Sequence, residues 1–146
     1  MRCLTEVDDC FEKGLLKKIT PSKNLAFQDI KQAEFFLDEA FDLIKIKKRE
    51  MTAIALYNSV FHAARALLYR DGVKEKSHYC LQKYLEEKYE KQKLLDAENV
   101  SLFDVLRGIR QEVQYNVTRV KFEEDLDELY DRTEQFIEKV KKILSK

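Results

Sequence analysis

Glycine and proline, the two residue types that mark most turns, are almost absent from this chain. Its 146 residues include three glycines and one proline, so there are few positions at which the chain can reverse direction sharply. Sheets of short strands need many turns, whereas long helices need few. Hydrophobic residues make up 45% of the chain and charged residues 37%, which suffices for a core and argues against disorder. We therefore predict an all-α fold.

Apolar residues recur at helical spacing along two long central segments. The first is predicted to form a helix from about residue 22 to 46, and the second from about 50 to 70. Intervals of three and four residues place these side chains on one face of a helix. The first stripe consists of Ala26, Ile30, Ala33, Leu37, Ala40 and Ile44. The second stripe consists of Ile54, Tyr57, Phe61, Ala64 and Leu68.

Capping residues predict where the helices begin and end. Thr20-Pro21-Ser22 favours a helix start, with a hydroxyl cap and a proline in the first turn. Asp71-Gly72 favours an end, because glycine adopts the left-handed conformation readily. Ser77 is predicted to cap a third helix over about 78–91, and another helix is predicted to begin near Ser101.

Both ends of the chain are predicted to be helical. Residues 4–18 favour a short helix, and the final helix is predicted over about 122–144. The last helix carries a nearly unbroken apolar seam, which consists of Phe122, Leu126, Leu129, Thr133, Phe136, Val140 and Ile143. Nothing marks a linker, so we predict one domain over 1–146 with an N-terminal arm over about 1–20. Its helices can bury their apolar stripes against one another in an antiparallel, up-and-down bundle of four to five helices.

The charges of the chain balance. With 27 basic and 27 acidic side chains, the formal net charge is zero. A protein that coats nucleic acid through non-specific electrostatics needs a clear basic excess, so that class is excluded. The zero net charge is still compatible with a local patch of basic residues. No apolar run approaches the roughly 20 residues that span a bilayer, and acidic residues near the N terminus argue against a signal peptide.

The three cysteines, Cys3, Cys10 and Cys80, lie in no CxxC pair. Their number is odd, so we expect free thiols in a reducing cytoplasm rather than a disulfide scaffold. The two histidines have no partners at metal-ligand spacing, and no phosphate-binding glycine-rich loop is present. We therefore predict neither a metal ion nor a cofactor.

A polar row accompanies the apolar stripe of the second long helix. Asn58, His62, Arg65 and Tyr69 are spaced by four, three and four residues, so they share one face. Such a row could line a ligand-binding cleft. The alternative is that it marks the boundary of the bundle, where each group bonds to a neighbour or to water.

A second candidate site lies at the start of the predicted third helix. Lys74 and Lys76 precede Ser77 and His78, and a helix N terminus offers free N–H groups and a partial positive charge. This combination would suit a phosphate group. The alternative is an ordinary serine cap beside solvated lysines.

A third candidate lies in the next long helix. Arg107 and Arg110 project to the same side, and Gln114 shares the face of Arg110. Gly108 lies between the arginines and lowers helix propensity by about 1 kcal/mol, which suggests a close approach there. Tyr115, five residues after Arg110, can reach it only if the helix loosens or ends at that point. The alternative is a surface helix whose arginines form ion pairs.

Taken together, these segments resemble the HEPN family of small helical domains. The resemblance covers about residues 22–144 and rests on the stretch YNSVFHAARALLYRDGVKEKSHYCLQKYL, residues 57–85. The family tends to show a tyrosine, FHAA-like and ALL-like runs, a glycine turn and a Ser/Thr-His pair. An arginine-centred motif follows in the next long helix, and here that role falls to Arg110.

The resemblance implies a helical bundle, usually paired into a homodimer, in a prokaryotic setting. Many relatives work with a minimal nucleotidyltransferase, often as toxin and antitoxin. In active members the arginine is followed four to six residues later by a histidine, and two such motifs cut RNA without a metal. Here Tyr115 stands at that place, and no histidine follows His78. A tyrosine with an ordinary pKa near 10 is ionised about one part in a thousand at neutral pH, so it is a poor base.

Three hypotheses of function follow. The first is an inefficient or inactive HEPN-like module that binds RNA, a nucleotide or a partner nucleotidyltransferase in a cleft around Arg110. The second is a metal-independent endoribonuclease of the toxin type, in which Arg110 works with Tyr115 or a histidine. The third is a structural protein-interaction domain that assembles through the seam of its last helix.

Overall fold

The computed structural model describes residues 4–146 and shows a mostly helical protein, which confirms the predicted all-α antiparallel architecture. Within these residues, six α-helices and one two-stranded sheet follow one another along the chain. The elements are α1 (Glu6–Glu12), β1 (Leu16–Lys18), α2 (Lys23–Lys45), α3 (Arg49–Asp71), β2 (Val73–Glu75), α4 (His78–Leu85), α5 (Ala97–Tyr115) and α6 (Leu126–Leu144). A single π-helical turn, Glu86–Glu90, extends α4.

Helix α3 is the centre of the bundle and is buried on more than one face. It packs against α2 along its length and also contacts α5 and α6. Its buried side chains include five alanines, which allow neighbouring helices to approach closely: Ala53, Ala55, Ala63, Ala64 and Ala66. Contacts with three neighbouring helices bury most sides of α3, except for the row of polar residues along one face. The single stripe predicted from the sequence therefore describes only part of its buried surface.

Most of the predicted helix ends are confirmed, and capping explains them. The hydroxyl of Ser22 accepts a hydrogen bond from the N–H of Leu25 at 3.1 Å, although Pro21 precedes the cap instead of following it. Gly72 ends α3 with a left-handed φ of 79°. A side chain at position 72 would also place its Cβ 2.7 Å from the carbonyl oxygen of Ile19, so only glycine fits there without strain.

Two predicted helix starts are wrong by several residues. Helix α5 begins at Ala97 instead of Ser101, because Asp96 and Asn99 form a reciprocal capping box. Helix α6 begins at Leu126 because Asp125 caps it, so residue 122 lies outside the helix. Helix α4 passes into the π turn after Leu85, and that turn carries the helical segment to Glu90, close to the predicted end near residue 91.

The N-terminal arm is not helical to residue 18 as predicted. Helix α1 stops at Glu12, and Gly14 adopts a positive φ of 72° that a helix cannot accommodate. The chain then forms β1, which pairs antiparallel with β2 and places Leu16 opposite Glu75. Three-residue strands carry too little alternation to be identified from sequence, and this pair depends on contacts between distant parts of the chain.

The prediction that all cysteines are free thiols is also wrong. Cys10 in α1 and Cys80 in α4 form a disulfide, with their Cα atoms 5.9 Å apart and a sequence separation of 70 residues. Both are buried. Their proximity results from the packing of α1 on α4, which cysteine spacing does not reveal. Cys3 lies outside the described residues.

Across residues 4–146, no helix is both long enough and apolar enough to cross a membrane.

Candidate functional site

A cleft of about 440 Å³ lies between the start of α4 and the second half of α5. The residues that line it come from these two helices: Ser77, His78, Tyr79, Arg107, Arg110, Gln111 and Tyr115. Ser77 caps α4 by accepting a hydrogen bond from the N–H of Cys80 at 3.2 Å. The cap fixes the start of α4 and thereby holds His78 at the edge of the cleft. The second and third sequence candidates thus meet at one place in the structure.

Arg110 reaches Tyr115 because α5 ends there. Tyr115 is the last residue of the helix, and Asn116 after it has extended backbone angles. The guanidinium Nη2 of Arg110 donates to the hydroxyl of Tyr115 at 3.4 Å, which is long for a hydrogen bond. The guanidinium carbon lies 5.7 Å from the centre of the Tyr115 ring and 5.0 Å from that of the Tyr57 ring. The guanidinium of Arg110 therefore lies against two aromatic rings.

The two arginines of the cleft carry positive charge that no carboxylate neutralises. Within residues 4–146, neither Arg107 nor Arg110 forms an ion pair, whereas Arg65 pairs with Asp29 and Arg119 with Glu50. Both side chains are half-buried, so water screens them less than it screens a fully exposed lysine. The alternative predicted for this helix, a surface with arginine ion pairs, does not describe these two residues.

Tyr57 and His78 form a direct hydrogen bond beneath the cleft. The hydroxyl of Tyr57 contacts Nδ1 of His78, and the ring of His78 stacks on Phe61 with centroids 4.5 Å apart. Tyr57 is only 1% exposed, and burial raises the pKa of its phenol to about 12 although Arg110 and Arg107 oppose the shift. The tyrosine therefore stays neutral at every physiological pH.

His78 is also held in its neutral form. Burial lowers the pKa of its imidazole below the ordinary value, and the charges of Arg110, Arg107 and Arg65 lower it further. At neutral pH the cleft thus contains two permanent cations and one uncharged imidazole. Because Nδ1 is bound to Tyr57, Nε2 is the ring nitrogen left for a ligand.

His62 and Arg65, predicted as ligand-binding residues, instead surround a buried carboxylate. Nδ1 of His62 lies 2.8 Å from Oδ1 of Asp29, and Nε of Arg65 lies 2.7 Å from Oδ2. Asp29 is 5% exposed, so burial alone would raise its pKa, but the bonds from Arg65 and His62 lower the pKa below its ordinary value. Arg65 also lies 3.7 Å from Glu75. These contacts link α2, α3 and β2.

The remaining predicted residues lie outside the cleft. Asn58 is half-buried in α3, and Gln114 is exposed on α5; neither is among the residues that line the cleft. The hydroxyl of Tyr69 accepts a bond from Nζ of Lys74 at 3.2 Å. The structure therefore brings Arg107, Arg110, Tyr115, Ser77 and His78 together.

Sequence reasoning missed four residues near these two clusters. Tyr57 was assigned to the core stripe, and its hydroxyl partner could not be anticipated. Tyr79 and Gln111 line the cleft, but neither was singled out as a site residue within the segment that contains it. Asp29 offered a usable signal, because a carboxylate next to Ile30 within an apolar helical face needs a buried partner.

Comparison with known families gives one match. The family model described as the HEPN domain matches residues 28–143, which is more than half of the chain. The matched range contains α3, α4 and α5 and therefore every residue that lines the cleft. No curated protein matches the chain.

Proposed function

The chain belongs to the HEPN domain family, which is associated with RNA binding and ribonuclease activity, and on this basis we propose that it binds RNA through a phosphate group held in the Arg110 cleft. A free nucleotide offers the same phosphate and is the smaller ligand of the same kind. Arg107 and Arg110 would contact the phosphate oxygens, and His78 would contribute a third hydrogen bond.

The observation that carries the proposal is the pair of unneutralised arginines in one cleft. Guanidinium groups bind phosphate oxygens in a forked geometry, and they do so most strongly where competing carboxylates are absent. Tyr115 and Tyr79 are exposed at the cleft, with about 67% and 47% of their surfaces accessible. Exposed tyrosine rings next to arginines suit stacking of unpaired RNA bases.

The geometry favours binding over efficient cleavage. The phenol O–H of Tyr57 has no other acceptor within the described residues, so we infer that it donates to Nδ1 of His78. The proton of the neutral imidazole then lies on Nε2, which makes His78 a hydrogen-bond donor to the ligand instead of a base. Cleavage of RNA at a 2′-hydroxyl needs a group that accepts a proton.

The binding proposal can be tested by fluorescence anisotropy with a labelled single-stranded RNA. We expect Arg110→Ala to weaken binding about tenfold and to lower the dependence of log affinity on log salt by about one. Arg132→Ala is the matched control, because Arg132 is a half-buried arginine on α6 outside the cleft. Equal affinities of the two variants would exclude the Arg110 cleft as the binding site.

A metal-independent ribonuclease is the second candidate, and one observation favours it. His78 lies in the same cleft as Arg110, so a histidine is present although it comes from α4 rather than from the arginine motif. In that case the purified protein would cut RNA in EDTA, leave 2′,3′-cyclic phosphate ends, and lose activity in both Arg110→Ala and His78→Gln. Intact RNA after long incubation at high protein concentration would argue for binding alone.

The proposal also concerns the proteins with which this chain assembles. HEPN domains commonly dimerise and pair with nucleotidyltransferases, so we propose a homodimer and a minimal nucleotidyltransferase partner, as in toxin–antitoxin systems. The seam of α6 is a poor candidate for that contact. Its residues Phe136 and Val140 are fully buried, because α2 and α3 of the same chain cover them. The hypothesis of assembly through this seam therefore loses its basis.

A further inference from the structure

A second concave site lies on a different part of the molecule. A groove of about 450 Å³ runs between the first turns of α2 and the end of α6. It shares no lining residue with the Arg110 cleft. The HEPN-like function proposed above makes no use of it.

The floor and wall of the groove are hydrocarbon. Ala26 and Ile30 form a buried floor, and Leu144 closes the side towards α6. Phe27 also lines the groove and leaves 57% of its surface exposed. Covering an exposed phenylalanine and its apolar neighbours gives a favourable free energy that grows with the buried area.

The rim of the groove is cationic. It carries four basic residues, Lys23, Lys31, Arg70 and Lys141, and one acidic residue, Glu34. Lys141 contacts Glu34 at 3.4 Å, and Arg70 donates to the carbonyl of Ile143 at 3.1 Å. Lys23 and Lys31 have no carboxylate partner within residues 4–146. The ammonium of Lys31 lies 4.7 Å from the centre of the Phe27 ring, so a free positive charge adjoins the apolar wall.

The dimensions of the groove suit a small molecule. The α2 residues that line it run from Lys23 to Glu34, which is roughly 16 Å of helix axis. The volume of the groove falls within the range of small-ligand pockets.

We propose that this groove binds a small apolar carboxylate. The hydrocarbon part would lie on Ile30 and against Phe27, and the carboxylate would face the ammonium group of Lys31. Charge complementarity selects the anion, because the only acidic group of the rim is already paired with Lys141.

Calorimetry with three ten-carbon probes tests the proposal. Decanoate carries the required charge, decanol is neutral, and decyltrimethylammonium is cationic. The two ions are used below their micelle concentrations and decanol below its solubility limit. We expect saturable one-to-one binding of decanoate, several-fold weaker binding of decanol, and none of the cation. Equal affinities for the three probes, or no saturable binding of decanoate, would overturn it.

Two exposed residues allow variants that should fold normally. We expect Phe27→Ser to weaken decanoate binding about tenfold and Lys31→Glu to weaken it about fivefold. Phe35→Ser and Lys45→Glu are matched controls, since both residues are exposed on α2 but do not line the groove. If decanoate bound equally to Phe27→Ser and Phe35→Ser, the groove would not be the site.

Discussion

The hydrogen bond between Tyr57 and His78 joins two side chains that burial keeps uncharged. Tyr57 has a pKa of about 12, and the pKa of His78 lies below its ordinary value. Next to them, Arg107 and Arg110 remain charged at any physiological pH. A cleft of this composition presents a constant positive charge to its ligand.

The lowered pKa of His78 predicts how stability depends on pH. The unfolded chain takes up a proton on this histidine near pH 6.5, whereas the folded protein does so only at lower pH. Between those two values the unfolded state binds more protons, so lowering the pH destabilises the fold. Between pH 7.5 and pH 5.5, the free energy of unfolding measured with urea should fall more for the natural protein than for His78→Gln. Equal losses in the two proteins would contradict the buried, neutral imidazole.

The sequence predicted which side chains would take part in polar contacts better than it predicted which residues they would contact. Arg110 was predicted as a catalytic residue and Arg107 and His78 as ligand-binding residues, and the three do line one cleft. His62 and Arg65 carry similar chemistry, yet they bind Asp29, which lies 33 and 36 residues away in sequence. Helical spacing shows which side chains share a face but not what the facing helix presents.

Gly108 and Gly72 differ in whether the structure has room for a side chain at their positions. Gly108 lies inside α5, where an added Cβ would meet nothing within 4 Å. No side chain or backbone segment of residues 4–146 therefore makes the close approach expected there from the sequence. Gly72 combines a left-handed backbone with a close contact to the carbonyl of Ile19.

These settings predict stability changes of opposite sign. Gly108→Ala should raise the free energy of unfolding by about 0.5–1 kcal/mol, since alanine favours the helix. Gly72→Ala should lower it by more than about 1 kcal/mol through backbone strain and the clash. Urea denaturation of both variants beside the natural protein measures the two shifts. A destabilised Gly108→Ala would mean that α5 needs flexibility at that position.

Long elements with strong periodicity were predictable, and short elements were not. Helices α2 and α3 end within one residue of their predicted limits because Ser22 and Gly72 mark them. The start of α5 was missed because Asp96 offered a capping signal as strong as that of Ser101. Strand β1 has three residues and no pattern of its own, so it exists only because β2 pairs with it.

At the scale of the whole molecule, α1 is held by few but varied contacts. It packs on α4, it is followed by the β1–β2 pair, and Cys10 bonds to Cys80. The hydroxyl of Tyr79 also donates to Glu6 at 3.2 Å. The disulfide thus joins the N-terminal arm to the helix that begins with His78.

Reduction of this disulfide should destabilise the protein measurably. Its two cysteines are 70 residues apart, and closing a loop of that length stabilises a fold by about 4 kcal/mol in the chain-entropy model. Dithiothreitol should therefore lower the urea midpoint of the natural protein. It should also do so in Cys3→Ser, but not in the double variant Cys10→Ser/Cys80→Ser. An unchanged midpoint of the natural protein under reducing conditions would contradict the pairing.

The same bond gives the chain the topology of a closed ring with two tails. The ring runs from Cys10 to Cys80 and contains α2 and α3, whereas α5 and α6 lie on the longer tail. A protease that cuts once between α2 and α3, at about residues 46–48, opens the ring but releases no fragment until the disulfide is reduced. A single cut in the connection at residues 116–125 severs the tail and frees α6 from every covalent link, leaving only packing to retain it.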